Sequence, residues 1–240
     1  MSGSLNGKTV IVLGGSSGIG LATAQAAQAE GAEVMITGRD EARLGRAREA
    51  LGGKIRTGQF DAAHENPTRE FFASIPYIDH IFSTAATLVR DVKLSPSRTE
   101  LRPAMGVRFW AALYACKYGA PKMRAGGSLV FMSGTAARRP LAGASVASAS
   151  CGAVESFARA MVLDLAPIRV NVIQPGYVDT PLFDTLLGDQ RDAILAAAGE
   201  ALPVKRVGRP EEIADAVLFL MKNGYVNGTI LTIDGGGLLV

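Results

Sequence analysis

The segment that most constrains this chain is Gly14-Gly-Ser-Ser-Gly-Ile-Gly20, because of what stands on either side of it. Before it, Thr9–Leu13 reads TVIVL, a continuous run suited to a strand buried on both faces. After it, Ile19–Glu30 reads as a helix that stops at Gly31. A glycine turn between strand and helix lets backbone N–H groups approach a pyrophosphate, and the helix N-terminus adds partial positive charge. In that setting the glycines point to a dinucleotide-binding crevice.

The same alternation continues down the chain. Short apolar runs at Glu33–Thr37, Lys54–Thr57, His80–Ser83, Ser128–Met132, Arg169–Ile173 and Ile230–Ile233 are separated by helical stretches. The longest of these are Glu41–Leu51, Ala104–Met123, Ala147–Leu165 and Glu211–Lys222. This rhythm predicts an α/β, Rossmann-type, doubly wound parallel sheet of about seven strands with helices on both faces. With 240 residues and no linker or repeat, residues 1–240 read as a single domain. The irregular stretch from about Pro175 to Asp189 follows the sixth strand, and residues 176–200 are expected to form a substrate loop or lid.

Composition excludes several classes. A formal charge of +3 is too weak for a nucleic-acid binder. Two cysteines, Cys116 and Cys151, make no disulfide framework, and His64 and His80 stand apart from any ligand cluster, so no metal is expected. Both histidines read as surface or loop residues. No apolar run is long enough to span a bilayer, and MSGSLNGKTVIVLGG lacks the pattern of an export signal, so a cytoplasmic protein is expected, with no membrane partner. Between Ala86 and Pro140, ten basic residues, Lys93 among them, face only Asp91 and Glu100. They read either as solvated helix faces or as a site for an anionic ligand.

VLGGSSGIG resembles the TGxxxGxG loop of the short-chain dehydrogenases/reductases, with Leu13 in place of the usual threonine. The resemblance runs over essentially the whole chain: QFDAA around Asp61, RVNVIQPGYVDTP (Arg169–Pro181), and RVGRPEEIADAVLFLM followed by NGTILTIDGG. It implies cofactor contacts from Gly14, Ser16, Ser17, Gly18, Ile19 and Gly20. Asp61 and Ala62 would lie beside the adenine, Pro175, Gly176 and Val178 beside the nicotinamide, and Thr180 at its carboxamide. At the end of the second strand, where a carboxylate would select NAD(H), the chain has Gly38 followed by Arg39. A guanidinium suits a 2′-phosphate, so NADP(H) is expected, with Arg43 nearby. Ser17 stands where many NADP-dependent relatives carry a second basic residue. The resemblance also implies a homodimer or homotetramer, paired through Ala104–Met123 and Ala147–Leu165.

The catalytic positions depart from the family's pattern. Its tyrosine, lysine, serine and asparagine align with Ala147, Cys151, Gly134 and Arg108, and its NNAG segment with Ser83-Thr-Ala-Ala86. Ser133 stands one residue from the serine position. Tyr177 offers a phenol near the nicotinamide or a packing ring, and Cys151 reads as a filler of the space left by lysine. Arg108 would bind an anionic small-molecule substrate, stabilise a developing oxyanion, or pair across subunits. Ser133, Arg108 and Tyr177 are therefore the candidate catalytic residues. The resulting expectation is an NADP(H)-dependent oxidoreductase acting on activated C=O, C=C or C=N bonds. The alternatives are a non-catalytic NADP(H)-binding protein, or a scaffold repurposed for another reaction.

Overall fold

The computed structural model describes residues 5–91 and 94–240; Lys93 and the first four residues lie outside the described residues. Seven strands form one sheet: β1 (Thr9–Leu13), β2 (Glu33–Gly38), β3 (Arg56–Gln59), β4 (Ile78–Ser83), β5 (Met123–Met132), β6 (Arg169–Pro175) and β7 (Ile230–Ile233). All pairings are parallel, in the order β3-β2-β1-β4-β5-β6-β7. The order reverses between β1 and β4, which opens a crevice at their carboxyl ends. Strands β1, β4 and β6 are buried along their whole length, as continuous apolar runs between two helical layers must be.

One core lies under α1 (Gly18–Ala29) and α8 (Pro210–Lys222), where Ala24 and Ala27 meet a layer that includes Val217 and Leu220. The other lies under α4 (Arg98–Tyr114) and α5 (Ser145–Asp164), with Ala111, Ala115, Val154 and Ala158 against Leu129, Phe131 and Val172. Small helical residues let both layers seat closely on the sheet. Against the expectation that no apolar run could span a bilayer, helix α5 is long and apolar enough to cross one by length and composition. In this fold it packs on the sheet, with Cys151, Val154, Glu155 and Ala158 buried.

Several boundaries differ from expectation. The third strand is shifted to 56–59 and is largely exposed at the sheet edge, where apolar content is not required. The long central helix begins at Arg98, passes through a π-helical turn at Ala115–Gly119, and ends in a 3₁₀ turn at Ala120–Lys122. Two short helices were not anticipated after β6: α6 (Pro181–Leu187) and α7 (Arg191–Ala201), with a 3₁₀ turn at Gly188–Gln190 between them. The stretch from about Pro175 to Asp189, expected to be irregular, is thus helical from Pro181 onward, because Pro181 fits the first helical position; beyond it, Ala-rich sequence sustains α7. Helix α2 (Glu41–Ala50) was expected; α3 (Glu65–Ala73), buried through Thr68 and Phe72, was not.

His80 is also corrected. It lies inside β4, 5% exposed, with Nδ1 2.9 Å from the Ser128 hydroxyl. Burial pushes its pKa down to about 4, so it is a neutral core residue near pH 7. At the amino ends of the strands, Asp79 accepts the Thr9 N–H at 2.8 Å and pairs with Arg124. Arg169 donates to the carbonyls of Leu220 and Met221, both at 2.6 Å, closing the carboxyl end of α8.

Candidate active site

The crevice at the β1–β4 switch is built on main chain. Gly14 has φ +88°, and a Cβ there would stand 2.7 Å from Thr84 Oγ1. That threonine, first residue after β4, donates to the Gly14 carbonyl at 3.2 Å and ties the two strand ends together. Ser17 is the N-cap of α1, yet its side chain makes no capping bond, which leaves first-turn N–H groups for a ligand. Thr180 is buried against the same loop: a Cβ on Gly18 would lie 3.3 Å from its side chain. Val178 is buried and bridges to Gly208, while Gly176 sits so close to Asp234 that a Cβ would come within 2.9 Å. The structure therefore brings Gly14–Gly20, Pro175–Gly176, Val178 and Thr180 to one edge of the sheet.

Beyond β2, Gly38 packs against the glycine loop with no room for a side chain, since a Cβ there would stand 2.9 Å from Ser16 Oγ. Arg39 follows it and is exposed, with Nη1 3.9 Å from the Asp61 carboxylate. Asp61 in turn accepts the Ala63 N–H at 2.9 Å, and Ala62 is buried below it. Arg43 points to Asp40, 3.8 Å away. A glycine loop opening onto a helix N-terminus at the carboxyl edge of the sheet fits a nicotinamide dinucleotide.

The aligned catalytic positions form a different constellation. Arg108 projects from α4 and is only 8% exposed. Its Nη1 donates to the carbonyls of Met132 at 2.7 Å and Ser133 at 3.3 Å, while its Nε is buried without a hydrogen-bond partner. Thr87 Oγ1, in the segment after β4, is likewise buried and unpartnered. Ala147 is half-buried and has no proton to give. Cys151 is 3% exposed, and its Sγ lies 3.5 Å from where a Gly134 Cβ would stand, as a space-filling thiol should.

Ser133 does not present a free hydroxyl. Its Oγ donates to Glu155 Oε1 at 2.5 Å, and the residue is 3% exposed. The ring of Tyr177 stacks on Phe183 of α6, with centroids 5.9 Å apart.

Three residues of the site region were not singled out from sequence. Asp91 binds the start of α5, Glu155 lies behind Ser133, and Arg191 gathers three acids of the segment after β6. Arg191 lies 2.6 Å from Asp184 and 2.7 Å from Asp192, and also pairs with Asp179, next to Thr180. Asp91 had a visible signal, as one of two acids in a basic run. Among the described residues, no three His, Cys, Asp or Glu side chains are grouped to hold a metal ion.

Comparison with known proteins places this geometry. Residues 14–237 match the family model described as enoyl-(acyl carrier protein) reductase. The short-chain dehydrogenase/reductase malC of Malbranchea aurantiaca is 34% identical over 254 residues, covering 98% of this chain and 96% of its own length. The solved structure of the MalC reductase/Diels-Alderase from that organism superposes with a TM-score of 0.91 at 32% identity, covering 98% of each chain. A small-chain dehydrogenase in complex with NADPH gives a TM-score of 0.85 at 32% identity, covering 98% of this chain and 100% of that one. The glycine cradle, the sheet order and these matches along nearly the full length agree, and the chain belongs to the short-chain dehydrogenase/reductase family of oxidoreductases.

Proposed function

We propose that the protein is an NADP(H)-dependent reductase of activated double bonds, in which Arg108 supplies the electrostatic help that a proton donor would otherwise give. The observation that carries this reading is the buried guanidinium of Arg108, held by one nitrogen and carrying an unpartnered Nε. When bound, the nicotinamide dinucleotide supplies the hydride. The chain's part is to hold it through Gly14–Gly20 and Thr180, to grip a 2′-phosphate with Arg39, and to keep a cation near the acceptor.

A simple ketone needs a proton as its oxygen becomes negative, and Ala147 has none to offer. An iminium ion already carries the charge that hydride neutralises and needs no help from Arg108, whereas an enone spreads the new charge by conjugation onto an oxygen that Arg108 can stabilise. Arg90, Arg138 and Arg139, exposed on the segments after β4 and β5, support a negatively charged group elsewhere on the substrate.

The test is NADPH oxidation against a panel of cyclic iminium ions, enones and simple ketones. Turnover is expected with the first two classes at a rate about 10²-fold or more above the third. Tight NADPH binding by calorimetry with no oxidation across the panel would leave a non-catalytic dinucleotide-binding protein instead. The malC relative favours a second reading, since its structure is described as that of a reductase and Diels-Alderase. A cation that polarises a conjugated carbonyl serves a cycloaddition as well as a reduction, and product formation in the presence of NADP⁺ alone would reveal it. For assembly, Met105, Trp110 and Leu163 expose apolar surface on α4 and α5, which supports a homo-oligomer paired through these helices. Light scattering at micromolar concentration reads its size.

A further inference from the structure

We propose that Glu155 is a positioning residue for Arg108 and that it acts through Ser133. This inference rests on the reading of Arg108 as the acting cation of the site.

Glu155 follows Cys151 by four residues on α5, so it lies on the same helix face one turn deeper. It is 7% exposed. A buried carboxylate is costly unless its oxygens are hydrogen-bonded. Oε1 accepts from Ser133 Oγ at 2.5 Å and from Gln174 Nε2 at 2.6 Å. Among the described residues it has no ion-pair partner, so these two hydrogen bonds are what hold it in place.

Ser133 uses every polar group it has. Its N–H closes the last bond of β5 to the Ile173 carbonyl at 2.8 Å. Its hydroxyl goes to Glu155, and its carbonyl accepts from Arg108 Nη1 at 3.3 Å. The next residue, Gly134, has no side chain to restrain the main chain. The orientation of the Ser133 carbonyl beyond the sheet therefore depends on where its own hydroxyl is held. Behind Glu155 the chain of bonds continues: Gln174 Oε1 accepts from Thr232 Oγ1 of β7 at 2.9 Å. The series Thr232, Gln174, Glu155, Ser133, Arg108 links the outer strand to the cleft cation through side chains and one peptide carbonyl. An arginine held at one nitrogen by two backbone carbonyls loses its aim when either carbonyl turns.

The experiment compares Glu155→Gln, Glu155→Leu, Ser133→Ala and Arg108→Met by ¹⁵N-arginine NMR, with the Arg108 Nε–H resonance identified by its loss in Arg108→Met. In Glu155→Gln the amide oxygen still accepts from Ser133, and the signal is expected to stay in place. In Glu155→Leu and Ser133→Ala it should move or broaden, at a thermal midpoint showing that the protein is folded. An unchanged Arg108 signal in folded Glu155→Leu or Ser133→Ala overturns the proposal; Ser133→Ala serves alone if the leucine variant does not fold. This readout needs no substrate, so it stands apart from the outcome of the reductase assay.

With a turned-over substrate, Glu155→Leu should lower kcat on the order of tenfold to a hundredfold with unchanged NADPH affinity. It should add no further loss in the Arg108→Met background. Equal loss in both backgrounds indicates a merely structural role and overturns the proposal.

Discussion

Asp91 and Ser145, 54 residues apart in sequence, are joined twice: Oδ1 accepts the Ser145 N–H at 3.0 Å and Oδ2 accepts its hydroxyl at 2.6 Å. Oδ2 also takes the Val146 N–H at 2.6 Å. A carboxylate from the segment after β4 thus does the work of an N-cap for α5, the helix that carries Ala147, Cys151 and Glu155. Replacing Asp91 with alanine is expected to cost about 1–2 kcal/mol, read by urea unfolding at pH 7. Burial acts to raise the Asp91 pKa, but the bonds from Ser145 and Val146 outweigh it and hold the pKa below its usual 3.8. The sign follows: its stabilisation is complete above the unfolded-state pKa and is lost as pH falls through the lowered folded value. The gap between wild type and Asp91→Ala should therefore close on acidification.

Glu212 offers a second acid-range signal with a defined window. The Arg206 guanidinium at 2.6 Å and the Arg209 N–H at 2.8 Å bring its pKa down from 4.5 to about 2. Its contribution should be complete above pH 4.5 and vanish as pH approaches 2. Glu212→Gln is expected to flatten the pH dependence of the urea midpoint within that interval, and an unaltered slope there would remove the assignment.

On the proposed reading Arg39 selects the cofactor. Arg39→Ala should weaken NADPH binding by about tenfold or more, the loss of a charge-assisted hydrogen-bonded pair, with NADH binding nearly unchanged. Calorimetry with both nucleotides measures it, and an equal effect on the two would reassign Arg39 to the surface.

At Gly14 two penalties coincide. Alanine would face a positive φ of +88° and place a methyl 2.7 Å from Thr84 Oγ1. Gly14→Ala is expected to lower the thermal midpoint and reduce NADPH affinity together. Retained affinity would mean that the loop adapts without cost.

Arg191 joins Asp179, Asp184 and Asp192 in the segment after β6. Removing it in Arg191→Ala should raise KM for substrate several-fold with little change in global stability, since ion pairs to exposed carboxylates add little to folding. Steady-state kinetics beside urea unfolding distinguishes this from a folding defect.

Much of this protein was legible in its residues. The run Thr9–Leu13, the glycines after it and the recurring apolar segments required a parallel sheet with a crevice at its carboxyl edge, because period and local chemistry are properties of contiguous residues. Arg39 beside Gly38 carried the cofactor expectation for the same reason. Tertiary structure decided what depended on residues far apart. It turned Ser133 inward to Glu155, 22 positions away, put His80 in the core against Ser128, and set Asp91 under a helix that begins 54 residues later. It also left Arg108 with a buried nitrogen unpaired. A sequence displays which groups can form hydrogen bonds; only the folded chain determines which of those bonds are already made, and which remain for a ligand.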